Sequence, residues 1–156
     1  MGDFEVSRAT TVAADPADVQ ALVVDFREWR RWSPWEDVDP AMTREYDGPD
    51  SGEGASYRWT GNRKAGAGSM RITAVTPDEV AIDLAFTRPM KATNDLAFLV
   101  EPVADGTRVT WRMRGRNTGL WSLLARFVPM DRLVGADFEK GLARLKSELE
   151  AGVPGA

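Results

Sequence analysis

The 156-residue chain contains no cysteine and no histidine. Thiol nucleophiles, Cys/His zinc sites, iron–sulfur clusters and imidazole acid–base catalysis are therefore all absent. Chemistry is left to phenols, guanidinium and ammonium groups, and carboxylates. The carboxylates Asp37, Asp39, Glu45, Asp47 and Asp50 gather around a turn without the loop spacing of a calcium site, and they read as solvated. The run Gly61-Asn-Arg-Lys-Ala-Gly-Ala-Gly68 is glycine-rich and basic but lacks the Gly-Lys-Ser/Thr ending of a phosphate loop, so it reads as a hairpin turn. Neither a metal nor a cofactor is expected.

Two arginines fall where apolar residues set the pattern. Arg8 keeps the phase of Phe4, Val6 and Val12, and Arg44 that of Met42 and Tyr46. A buried guanidinium requires an anion or several acceptors, which a ligand carboxylate or enolate, or a structural ion pair, could supply. Arg44 is the better ligand contact, because Tyr46 shares its face. The stretch EWRRWSPWED, 28–37, holds three of the six tryptophans, Trp29, Trp32 and Trp35. On a short helix Trp29 and Trp32 share one side, while Pro34 frees Trp35 to point elsewhere. The three indoles either bury area as ordinary core or close one side of a cavity, with two packed inward and the third at the rim.

These residues need a scaffold, and the composition supplies one. With 43% hydrophobic residues the chain suits one domain, 1–151, followed by a short tail, 152–156. Twenty basic against 24 acidic residues give a net charge of −4, no field to attract nucleic acid. No window has the apolar length of a membrane span and the start carries no signal-like apolar region, so a cytoplasmic protein is expected.

Phe4 to Val12 reads as a strand. Asp15 is a candidate N-cap with Pro16 at the first position of a helix to about Asp25, and the tryptophan stretch follows as a second short helix ended by Pro34. From Met42 to Gly115 strands alternate with turn signals at 47–49, 61–64, 77–78, 88–89 and 105–106, an antiparallel meander. The clearest alternation places Val109, Trp111 and Met113 on one face and Arg108, Arg112, Arg114 and Arg116 on the other. A last helix, capped by Asp131 and running to about Glu150, carries the stripe Val134, Phe138, Leu142, Leu145 and Leu149.

This order is α+β: a sheet whose apolar face only the last helix is long enough to cover. Through AADPADVQALVVDFREWRRWSPW, GPDSGEGASYRWTGN with GAGSMRI, LVEPVADGTRVTWRMRG and GADFEKGLARLKSELE, the chain resembles the START-related helix-grip superfamily, in its polyketide cyclase/dehydrase and lipid transport branch. The resemblance implies a curved seven-stranded antiparallel sheet wrapped around a long C-terminal helix, two short helices after the first strand, and an internal cavity. Such relatives include lipid carriers, hormone binders and aromatic cyclases, so fold alone leaves function open.

Taking each strand's apolar phase as inward, the inner surface includes Tyr57, Trp59, Met70, Ile72, Ile82, Leu84, Phe86, Phe98, Trp111 and Met113. Tyr57 alone among them titrates, which favours binding over turnover. Gly135 and Gly141 lie close to the helix stripe, where each signals either a close approach to the sheet or volume left for a ligand. The segment LWSLLARFVP, 120–129, is apolar on nearly every side. It reads as a lid with Leu120, Trp121, Leu124 and Phe127 inward, or as a homodimer contact.

The candidate ligand-binding set is therefore Trp29, Trp32, Trp35, Arg44, Tyr57, Trp59, Met70, Phe86, Phe98, Trp111, Met113, Leu124, Phe127, Phe138, Gly141 and Leu142. The leading expectation is a binder of a hydrophobic small molecule held between sheet and terminal helix, with no stable membrane insertion. A cyclase-like enzyme in which Tyr57 or an arginine polarises a carbonyl, and an interaction module with a filled core, are the alternatives.

Overall fold

Period-two alternation in seven segments builds one antiparallel sheet in a computed structural model that describes residues 3–88, 91–116 and 130–151. The strands are β1 (Asp3–Val12), β2 (Thr43–Asp47), β3 (Ser56–Thr60), β4 (Ala67–Val75), β5 (Glu79–Arg88), β6 (Ala92–Val103) and β7 (Gly106–Arg116). Their order is β1-β7-β6-β5-β4-β3-β2, so β2 to β7 form a meander and β1 closes onto β7 with Val6 opposite Met113. Register shifts in β4, between Ala67 and Gly68 and between Ile72 and Ala74, mark bulges that bend this curved, open sheet.

The inner face is the one the alternation predicts. Tyr57, Trp59, Met70, Ile72, Ile82, Leu84, Phe98, Trp111 and Met113 are all buried, and Phe86 is half-buried. Against this face lies α2 (Met130–Ala151), whose Phe138, Leu142, Leu145 and Leu149 are buried while Val134 is half-buried. Each fully buried aliphatic or aromatic side chain in this layer contributes about 2 kcal/mol of transfer free energy. The arrangement is the helix grip that the sequence resembles.

Three local expectations need correction. Helix α1 spans Pro16–Val23, shorter than expected, and Asp15 caps it through its backbone carbonyl, which accepts from the Asp18 and Val19 amides, its side chain making no cap bond. The tryptophan stretch forms two 3₁₀ turns, Glu28–Arg31 and Pro34–Asp37, in place of one short helix. Pro34 holds Ser33 in extended backbone (φ −75°, ψ 125°), so four residues on either side cannot propagate an α-helix. Asp131 falls inside the first turn of α2, because the helix starts one residue earlier. The segment 120–129 lies outside the described residues, as does the tail 152–156.

Candidate ligand cavity between sheet and helix

A cavity of about 290 Å³ opens between the inner face of the sheet, the two 3₁₀ turns and the start of α2. The turns and the chain after them contribute Trp29, Ser33, Trp35, Glu36, Val38 and Met42. Strands β3 to β7 contribute Tyr57, Trp59, Met70, Leu84, Phe86, Ala92, Asn94 and Met113, and α2 contributes Val134 and Asp137. Lys64 and Ala65, between β3 and β4, complete the wall. A larger hollow, about 640 Å³, lies among Asp15, Asp18, Arg31, Asp105 and Glu148, but it is an open surface depression with charged walls.

The aromatic walls are held by their own hydrogen bonds. The Trp29 and Trp32 indoles donate to the Val23 and Leu22 carbonyls, each at 2.9 Å, which ties the first 3₁₀ turn to the end of α1. Trp59 donates to the Ala65 carbonyl at 2.9 Å and meets Phe86 edge-on, ring centres 5.7 Å apart. Gly68 makes this possible: a Cβ there would stand 2.6 Å from the Trp59 ring. Trp35 is half-buried, donates to Asp137 Oδ2 at 3.2 Å and packs edge-on against Trp111.

At one side of the cavity three polar groups form a closed network. Glu36, 7% exposed, accepts from Arg44 Nε at 2.9 Å through Oε1 and from the Tyr57 hydroxyl at 2.7 Å through Oε2. Arg44 Nη2 also donates to the Glu36 carbonyl at 2.9 Å. Burial, then the bond to Glu36, pushes the Tyr57 phenol well above its ordinary pKa. Burial works against the charged form of Arg44, but the Glu36 carboxylate outweighs it and the pKa rises. The guanidinium is thus spoken for: the anion beside Arg44 is the protein's own.

Seven residues expected from the sequence line the cavity: Trp29, Trp35, Tyr57, Trp59, Met70, Phe86 and Met113. Trp32, Phe98, Trp111, Phe138 and Leu142 instead lie in the packed core beside it. There the Trp111 ring is stacked on Phe138 at 4.1 Å and on Phe98 at 5.0 Å. Gly141 leaves no room for a ligand, since a Cβ would meet Trp111 at 2.7 Å and Pro34 at 3.1 Å; of the two readings, close packing is the one realised. Gly135 likewise lies against the Arg8 guanidinium, which is paired with Glu139 at 3.5 Å. Leu124 and Phe127 lie outside the described residues.

Sequence reasoning passed over Ser33, Glu36, Val38, Lys64, Asn94 and Asp137. Asn94 carried a signal, because it continues the inward phase of Leu96, Phe98 and Val100. Among the described residues there is no group of three His, Cys, Asp or Glu side chains able to hold a metal ion. No helix among them is long and apolar enough to cross a membrane.

The family model for polyketide cyclase/dehydrase and lipid transport proteins matches residues 3–150. The chain belongs to that family. No curated protein matches it significantly. Solved structures match in fold. The di-domain ARO/CYC protein StfQ of the steffimycin biosynthetic pathway superposes with TM-score 0.71 at 13% identity, over 97% of this chain and 53% of that one. Protein CV1439 from Chromobacterium violaceum gives 0.67 at 12% identity, over 94% and 96%. The Aha1 dimer from Colwellia psychrerythraea gives 0.62 at 17% identity, over 96% and 98%. At such identities the likeness is one of fold, and one fold hosts many activities.

Proposed function

We propose that this protein binds a hydrophobic small molecule in the cavity between its sheet and α2, and that it does so as a carrier or receptor, without chemical turnover. The observation that carries the proposal is the apolar, aromatic-walled space of about 290 Å³, built from Trp35, Trp59, Phe86, Met70 and Met113 and fixed by glycine-enabled packing. Pre-formed apolar cavities with few polar groups are the ordinary form of small-molecule sites. The remaining space also speaks against an interaction module with a filled core.

The polar network favours binding over catalysis. The proton of Tyr57 is held by Glu36 and harder to release than in a free phenol, and both oxygens of Glu36 are already engaged. A general acid needs a pKa near the working pH, which this phenol lacks. Family membership and the likeness to StfQ keep a cyclase-like activity as the second reading, with enclosure of a reactive chain as its means.

Native mass spectrometry of the purified protein, followed by denaturing extraction of any passenger, tests the reading directly. A stoichiometric apolar molecule is the expected result. An unliganded mass, combined with no change in tryptophan emission across a panel of apolar aromatics, would overturn it.

A further inference from the structure

Asn94 interrupts an otherwise apolar row on β6. It is 7% exposed and lines the cavity, and its carboxamide opens onto that space without a hydrogen bond to the described residues, whereas the sealed, unpartnered side-chain atom among them is the Trp111 indole nitrogen in the core. Its strand neighbours are Leu84 on β5 and Gly115 on β7, and neither brings a polar side chain to it. An amide that opens onto a binding cavity with both its donor and its acceptor unused offers an occupant a hydrogen bond of either kind, and an apolar occupant that covered it without pairing it would leave it buried at a cost.

The charges around the cavity narrow what that something is. Arg44, half-buried beside the cavity, is neutralised by Glu36. Asp137 is half-buried and adds a carboxylate to the same cavity, and Lys64 is exposed at its edge. An anionic ligand would therefore lose its hydration without gaining a buried cation among the described residues, and would face two carboxylates. A carbonyl or hydroxyl suffers neither cost.

On the basis of the cavity reading above, we infer that Asn94 is the specificity-determining residue of the site: it selects a neutral, mainly apolar ligand carrying a carbonyl or hydroxyl group and rejects both carboxylates and pure hydrocarbons. At interior packing density a cavity of this volume holds about 10 to 15 non-hydrogen atoms. A fused two-ring skeleton bearing one polar group fits that size.

The test is titration of the ¹⁵N-labelled full chain with 2-naphthol, naphthalene and 2-naphthoate, reading cavity backbone amides for affinity and the Asn94 side-chain amide for contact. The wild type should bind 2-naphthol about tenfold more tightly than either of the others, the ratio expected from one buried hydrogen bond. The Asn94 amide should shift with naphthol only. In Asn94→Leu the naphthol-to-naphthalene ratio should fall to about one, with naphthalene binding kept or improved. Equal wild-type affinity for naphthol and naphthalene, or tighter binding of naphthoate, overturns the role of Asn94 while leaving the cavity reading intact. Both outcomes are read without any variant. Failure of all three to perturb the cavity amides overturns both.

Discussion

Replacing Glu36 by Leu removes a carboxylate that two other groups depend on. Its side chain is 6% exposed and that of Arg44 13%, so water cannot easily take its place. Losing one member of a buried ion pair costs about 3–5 kcal/mol, and orphaning the Tyr57 hydroxyl falls within the same event. We expect Glu36→Leu to cost about 4 kcal/mol and Arg44→Met about 3 kcal/mol, since the latter leaves Glu36 its bond to Tyr57. The double variant removes both charges together and should cost about 4 kcal/mol rather than the sum of about 7, a coupling of about 3 kcal/mol. In a chain of this size the single variants should melt about 6–16 °C below wild type, Glu36→Leu the lower of the two. The assay is urea denaturation at neutral pH of wild type, both single variants and the double. Additive losses would refute the reasoning, because they would mean that Arg44 and Glu36 are stabilised by solvent or by other partners and that the guanidinium is free for a ligand anion.

The two helix glycines should behave oppositely. Gly141→Ala drives a Cβ to 2.7 Å from the stacked Trp111 ring, and overpacking of about 1–3 kcal/mol should exceed the gain of about 1 kcal/mol in helix propensity. Gly135→Ala meets the end of the Arg8 side chain, which can yield, so thermal melts should place it within about 1 kcal/mol of wild type. Tyr57 makes a prediction about pH. Its pKa is raised in the folded state, so above the ordinary tyrosine value near 10 the unfolded chain loses a proton that the folded chain keeps. Stability from this residue is fully present below about pH 10 and falls by about 1.4 kcal/mol per pH unit above it. Denaturation of Tyr57→Phe between pH 9 and 11.5 should show a shallower decline, with Tyr46, raised for the same reason, supplying part of what remains. Parallel declines would contradict the assignment.

The sheet was legible because its signal is local: in β7, Val109, Trp111 and Met113 alternate with arginines, and alternation fixes which side of a strand is buried whatever the strand pairs with. The helix stripe from Val134 to Leu149 was legible for the same reason. The 3₁₀ turns were not, because Pro34 stops one helical run and begins another turn, and propensity alone does not decide where four residues end. The site was only half legible. Alternation says that Phe98 and Phe86 both point inward, but not that one meets Trp29, Trp32 and Trp111 while the other lines the cavity; that depends on where the 3₁₀ turns lie over the curved sheet. Arg44 was recognised as needing an anion, yet Glu36 lies eight residues earlier in a turn, where a carboxylate ordinarily faces water. Its burial follows from the turn folding over β2 and β3, a contact no periodicity encodes.

The indoles of Trp29, Trp32, Trp35 and Trp111 form an unbroken series, with ring centres 4.7 Å apart from Trp29 to Trp32, 5.4 Å from Trp32 to Trp111 and 5.2 Å from Trp111 to Trp35. At such separations excitation absorbed by one ring migrates among all of them faster than it is emitted. Trp35 is the member of the series that both lines the cavity and donates to a carboxylate, so a molecule placed against it should dim or shift the emission of its coupled neighbours. The indole series thus offers an intrinsic optical readout for the proposed ligand, and the near-ultraviolet dichroism of the protein should be dominated by its coupled transitions.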